Sequence, residues 1–188
     1  MFRKYIAVVL FFMVTFFALQ SQSDSSIWRY FGGEERGVAE VNNDLYQEEC
    51  GACHFSYQPG LLPARSWNRL MSNKELSSHF GEDIAFDDQA VVNSLTSYLI
   101  KNAADNSSFK RSKKIMRSLE SIDVPLRITD TPYIIRKHRE ISNRLIIQKE
   151  VGSIAYCGAC HKNAGTGSFD DDNVRIPNSG FFKSWDKD

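Results

Sequence analysis

A chain of 188 residues with 42% hydrophobic content has room for one or two small domains. Its 23 Lys/Arg balance 23 Asp/Glu, so the net charge is zero. The export signal that opens the chain argues against nucleic acid as a partner.

Arg3 and Lys4 precede an apolar run from Tyr5 to Leu19, followed by the polar stretch Gln20-Ser21-Gln22-Ser23. This is the pattern of a signal peptide over residues 1–23, with cleavage after Ser21 or Ser23. The apolar run falls short of the roughly 20 residues that span a bilayer. An uncleaved anchor is the alternative, because the site lacks an Ala-x-Ala form. No other stretch could cross a membrane, so the expected destination is the periplasm.

Residues 24–41 read as an irregular lead-in. A helix is expected to start near Asn42 to Asp44, which are good N-caps. It carries Leu45, Tyr46 and Glu48 into Cys50-Gly51-Ala52-Cys53-His54. The same five residues recur as Cys157-Gly158-Ala159-Cys160-His161, and the two copies use all four cysteines and two of the four histidines. Cysteines three apart lie on one face of a helical turn. Both sulfurs can then form thioethers along one haem edge, and the following His points its imidazole at the iron. Cys-x-x-Cys-His is the pattern of c-type haem attachment, so two covalent haems are expected, on Cys50, Cys53, Cys157 and Cys160, with His54 and His161 on the irons.

Three other readings compete. A four-cysteine zinc site would have to join pairs about a hundred residues apart and leaves the His after each pair unexplained. Disulfides are possible in an exported chain. A thioredoxin-like motif needs a βαβ context, and no convincing strand pattern is present.

After His54, Pro59-Gly60-Leu61-Leu62-Pro63 reads as a loop. A carbonyl of Pro59 or Pro63 is expected to accept the His54 Nδ1–H. A helix is predicted from about Ser66, with Trp67, Leu70 and Met71 on one side, running toward Leu76, His79 and Phe80 and stopping at Gly81. A second is predicted over Asp88–Ala103, with Asp87 as N-cap and Val91, Val92, Leu95, Tyr98 and Leu99 on one face. Residues 102–112 read as polar and flexible and place a domain boundary, giving units 24–106 and 107–188. The basic stretch Lys110 to Arg117 opens a helix. Thr131 as N-cap with Pro132 at N1 starts another, carrying Ile134, Ile135, His138, Ile141 and Leu145 on one side until Gly152 breaks it. The tail from Asn163 has little regular structure, and Ile176-Pro177 is placed at the second haem edge.

Two histidines remain, His79 and His138, one per haem. They are the candidate second axial ligands, with Met71 and Met116 as rivals; a methionine would raise the reduction potential. The pairing His54 with His79 and His161 with His138 rests on proximity in sequence, and a cross-over is the open alternative. Charge is uneven. Residues 24–109 hold six Lys/Arg against thirteen Asp/Glu, residues 110–149 hold eleven against four, and residues 150–188 hold four against six. Such polarity either steers a partner or is a solvated basic helix. An acidic neighbourhood favours ferric iron, so the first haem is expected to lie below the second in potential.

With these residues in view, the chain resembles the bacterial dihaem cytochrome c family, DHC. The likeness rests on Glu49 to His54, Gly60-Leu61-Leu62-Pro63-Ala64-Arg65-Ser66-Trp67, His79-Phe80-Gly81, Tyr98-Leu99, Arg127-Ile128-Thr129, Arg136 to Glu140, Cys157 to His161 and Arg175-Ile176-Pro177. It covers most of residues 45–177. Gln58 departs from it, standing where the family usually has a proline. The resemblance implies a mainly α fold, with an N-terminal part akin to class I cytochromes c and a C-terminal haem part of little regular structure. It also implies bis-His ligation at both irons and electron transfer rather than enzymatic activity. A small oxygen-binding monohaem cytochrome and a membrane cytochrome b are the implied partners. The competing functions are a dihaem subunit of a periplasmic nitrate reductase, and a haem enzyme or gas sensor with one open iron; after ligation no His is left for an enzyme's acid–base work.

Overall fold

Asn43 sets the first helix. Its side chain accepts the Tyr46 N–H and satisfies one of the orphan donors at the N-terminus of α1, Asp44–Gly51. The structure, a computed structural model, describes residues 37–180. The signal segment expected at 1–23 lies outside them. The described residues are mainly helical, with no strand among them beyond isolated bridges at His79–Glu82 and His161–Val174. None of their helices is long and apolar enough to cross a membrane.

The Pro59–Pro63 segment is not a solvent loop. Pro59–Leu61 forms one 3-10 turn, and all five residues are buried. Trp67, on α2 (Ala64–Leu70), donates its Nε1–H to Pro59 O at 2.8 Å, so the indole both fills the core and pins the turn. Trp67→Phe removes that donor while keeping most of the apolar volume. It is expected to destabilise the protein by about 1–2 kcal/mol in denaturant unfolding of the haem-loaded form.

The single helix expected from Ser66 to Phe80 is two helices. α2 stops at Met71, and Ser72, with extended backbone, starts the short α3, Asn73–Leu76. The chain then turns, with Phe80 at φ 52 and Gly81 at φ 108. His79 therefore lies in a turn, its N–H donating to Glu82 O at 2.7 Å, and not on a helix. The next helix, α4, is Gln89–Lys101. Its N-cap is Asp88, one residue later than expected, whose carboxylate accepts the Ala90 N–H at 2.7 Å.

Two cores result. Val92, Leu95 and Leu99 of α4 pack against Tyr46 of α1 and Trp67 and Leu70 of α2. The second core joins Val38 and Leu61 to Ile115, Tyr133, Ala164 and Phe169. Ile115 comes from α5, Lys110–Arg117, and Tyr133 from α6, Pro132–His138. Thr131 is at the N-cap of α6 as expected, although its hydroxyl donates to Ile128 O and caps nothing. α6 ends at His138, so Leu145 belongs to a separate turn, α7 (Asn143–Ile146), and Ile135 is 54% exposed instead of facing the core.

Within residues 102–112, Ala103, Ala104 and Ser112 are buried, and the Ala104 N–H donates to Leu62 O at 2.9 Å. Contacts cross residue 106 in several places. Val38 N donates to Gly167 O at 2.9 Å, Gln58 Nε2 to Ala164 O at 2.5 Å, and Ser112 Oγ to Gly60 O at 2.7 Å.

Candidate functional site

The two Cys-x-x-Cys-His segments open on one apolar cavity of about 610 Å³, and all four cysteines and all four histidines are in its walls. Cys50 sits in the last turn of α1, after which the chain bends through Cys53 to His54. The Tyr46 hydroxyl donates to Tyr57 O at 2.8 Å and fixes the chain beyond the motif. The second motif is a single helical turn, α8 (Cys157–Cys160). His161 N donates to Cys157 O at 2.8 Å, and the Arg175 N–H holds Cys160 O at 2.9 Å.

The structure brings each motif His beside one of the two remaining histidines. The rings of His54 and His79 have centroids 6.3 Å apart, and those of His138 and His161 are 6.1 Å apart. Histidine–metal bonds of about 2 Å, with ring radii of roughly 1 Å, set two opposed imidazoles about 6 Å apart across one metal atom. Both pairs match that span. His54 Nδ1 donates to Phe55 O and His138 Nδ1 to Ile134 O, both at 2.8 Å. A carbonyl only accepts, so Nδ1 carries the proton and Nε2 is the ring atom left to face a metal. The carbonyl serving His54 is Phe55 O, not Pro59 or Pro63 as expected; Pro59 O is taken by Trp67. The Nδ1 atoms of His79 and His161 are buried with no hydrogen-bond partner among the described residues.

Burial lowers the pKa of His79 and of His138. Burial, the neighbouring His138 and the Arg111 guanidinium push His161 down to about 4. These imidazoles are therefore neutral at pH 7, the form in which a His ligates. Burial also pushes the Cys50 and Cys157 thiols up to about 11. A thioether sulfur carries no charge and suits such an apolar wall. All four cysteines are free of disulfides. Of the rival ligands, Met71 lines the cavity as part of the first core, while Met116 of α5 is not in its wall.

Three residues near the site escaped the sequence reading. Tyr57 places its ring 5.1 Å from that of His54, and its hydroxyl donates to Ala155 O, two residues before Cys157, at 2.9 Å. Nothing in the sequence marks it. Phe169 lies 5.4 Å from the His161 ring. Arg111 also lines the cavity; its place one helical turn before the buried Ile115 was the available signal that it faces inward.

An apolar cavity flanked by two haem-attachment motifs, with imidazoles paired at the span of one metal atom, defines a c-type cytochrome with two haems. The model of the family described as dihaem cytochrome c matches residues 46–169. The chain belongs to the dihaem cytochrome c family, and Cys50/Cys53 and Cys157/Cys160 fit its two attachment motifs. It is similar to a dihaem cytochrome c from Rhodobacter sphaeroides, with 42% identity over 70% of this chain and 100% of that one at a TM-score of 0.61. A crystal structure of DHC purified from Rhodobacter sphaeroides gives 40% identity over 69% of this chain and 99% of that one at a TM-score of 0.54. A dihaem cytochrome c from Shewanella baltica gives 34% identity over 77% and 98% at a TM-score of 0.58. No curated protein matches the chain. Family membership makes the protein an electron-transfer cytochrome with redox-protein partners.

Proposed function

We propose that the protein is a closed, low-potential electron carrier in which His54 and His79 ligate one iron and His138 and His161 the other. The observation that carries this is the pairing of all four histidines at centroid separations of 6.3 and 6.1 Å. When bound, each haem supplies one-electron iron chemistry. The chain's own part would be to hold the two haems through His54, His79, His138 and His161, to exclude water with an apolar wall, and to keep the two sites in fixed relation. Tyr57 serves the last role, since one side chain touches His54 and is tied to the backbone beside Cys157. With His54, His79, His138 and His161 holding the two irons, no position would be left for a substrate.

We assign residues 24–106 to a class I-like unit and 107–188 to the second haem unit, with residues 1–23 directing export to the periplasm. A small oxygen-binding monohaem cytochrome and a membrane cytochrome b are the partners the family likeness favours. The first is proposed as acceptor and the second as donor.

Absorption spectroscopy tests the central reading. The reduced protein is expected to show two low-spin c-type haems and no change on adding carbon monoxide. Rapid carbon monoxide binding at either haem of the unmodified protein would exclude the closed carrier.

A further inference from the structure

The second site holds a charge that the family reading does not use. Arg111 projects from the first turn of α5 into the cavity wall beside His138 and His161. It is locked in place: NH1 donates to the Tyr133 hydroxyl at 3.1 Å and NH2 to Phe169 O at 2.6 Å. Its guanidinium carbon lies 6.0 Å from the Tyr133 ring centroid and 5.7 Å from that of Phe169. Both hydrogen-bond acceptors are neutral oxygens, so these bonds orient the charge without cancelling it. The Nε atom is buried and has no partner among the described residues. The other charges felt at this histidine pair are Lys137 and Asp171, and these bridge each other at 3.3 Å. Arg111 is the charge left over.

The first site has mixed charges and no cation fixed on two neutral acceptors in its wall: Arg69 bridges Glu75 at 2.9 Å, and Arg127 lies over the Phe80 ring. Glu75 acts on His79 and Glu49 on Cys50. We propose that Arg111 is the potential-setting residue of the second site, a fixed cation that holds the His138/His161 haem above the His54/His79 haem and directs the electron toward it. Uptake of one electron from a redox-protein donor lowers the charge of the site by one, and a nearby guanidinium favours that lowered charge. An Arg side chain does not deprotonate in proteins, so no proton accompanies the electron at Arg111, and its effect is independent of pH. A unit charge in a partly buried setting shifts such an equilibrium by about tenfold.

The inference rests on His138 and His161 serving one iron, and its test separates the two claims. Haem-resolved redox titration of the haem-loaded protein, with haems assigned by paramagnetic NMR, is run on the unmodified protein, Arg111→Gln and Arg111→Lys. In the unmodified protein the second haem is expected to titrate above the first. In Arg111→Gln, the reduced-to-oxidised ratio of the second haem at fixed potential is expected to fall about tenfold, which is about 59 mV for one electron. The first haem should move far less. Arg111→Lys, which keeps the charge, should stay near the unmodified value. An unchanged second haem in Arg111→Gln overturns the inference, as does an equal fall in both variants. If Arg111→Gln does not fold, a second haem at or below the first in the unmodified protein overturns it. Carbon monoxide binding in the unmodified protein would remove the ligand assignment instead, while the potentials would still judge Arg111.

Discussion

Carbon monoxide is expected to bind the reduced His138→Ala protein at one haem and to leave the unmodified protein unchanged. His138 closes α6, where Pro132 starts the helix and Ile134 O, one turn back, accepts the Nδ1–H at 2.8 Å. That bond fixes both the ring's orientation and its tautomer, so Nε2 is presented to the cavity at no further entropic cost. Alanine removes the ligand while keeping helix propensity. Of the neighbouring wall residues, Ile134 and Phe169 carry no ligating group, and Lys137 is held by Asp171 at 3.3 Å. When the competent form of a site is only about one per cent populated, making it permanent raises apparent affinity about a hundredfold. Carbon monoxide association should therefore rise by at least roughly that factor, with the Soret change of one haem out of two. Added imidazole should reverse it by refilling the site. His79→Ala should behave alike at the other haem, and the double variant should bind at both. If carbon monoxide binds in neither single variant, the assignment of His79 and His138 is wrong, and Met71, already in the cavity wall, becomes the residue to substitute.

What the sequence made legible were features with a short-range cause. Asn43 caps α1 because an Asn side chain reaches the N–H three residues on. Thr131-Pro132 starts α6 because proline needs no donor there. The haem motifs were legible because their chemistry demands three residues at a fixed spacing. Long-range effects were not. An apolar period continuing past Met71 suggested one helix, yet Ser72 is extended and a second helix begins after it. That break sets His79 in a turn closed by Gly81, and it is the turn that brings the His79 ring to 6.3 Å from that of His54. The polar look of residues 102–112 suggested a linker. Ala104 and Ser112 nevertheless bond to Leu62 and Gly60 across the molecule, contacts that composition does not encode. Charge counting saw a basic helix in Lys110–Arg117 and left open a docking face or a solvated one. Helical phase separates Arg111, on the same face as Ile115, from the exposed Lys113 and Arg117. Gln58 registered only as a departure from the family pattern. In the fold it is fully buried and donates to Ala164 O, holding the segment after the first motif to the one after the second.

The largest expected effect on stability comes from Gly167→Ala. Gly167 has φ 76, the left-handed region where a Cβ is strained. Its backbone also meets the chain segment before α1: Val38 N donates to Gly167 O at 2.9 Å, and an added Cβ would press into Val38 O. The facing residue, Gly37, is equally constrained, since a Cβ there would press into Gly167 O. Two glycines thus let backbones touch where Val38, 2% exposed, enters the second core beside Leu61, Ile115 and Ala164. Neither obstacle is a flexible side chain, so the two backbone segments must part, losing the Val38 bond and loosening the Val38 contacts. Left-handed strain of roughly 1–2 kcal/mol, with the backbone displacement added, makes about 3 kcal/mol the expected loss. For a chain of this size that is a fall of roughly 6–12 °C in Tm, measured by thermal unfolding of the haem-loaded protein. Gly165→Ala is the control. It lies two residues away in the same turn, with no left-handed φ and open space where its Cβ would go, and is expected to change stability by less than about 0.5 kcal/mol. Equal Tm values for the two variants would show that the strap of residues 37–41 contributes nothing to the fold. A large fall for Gly167→Ala with unchanged carbon monoxide behaviour would mean that the strap secures the second core without holding the histidine pairs. That outcome is the expected one, because His138 and His161 are held by Ile134 O and by the α8 turn, which Val38 does not touch with a hydrogen bond.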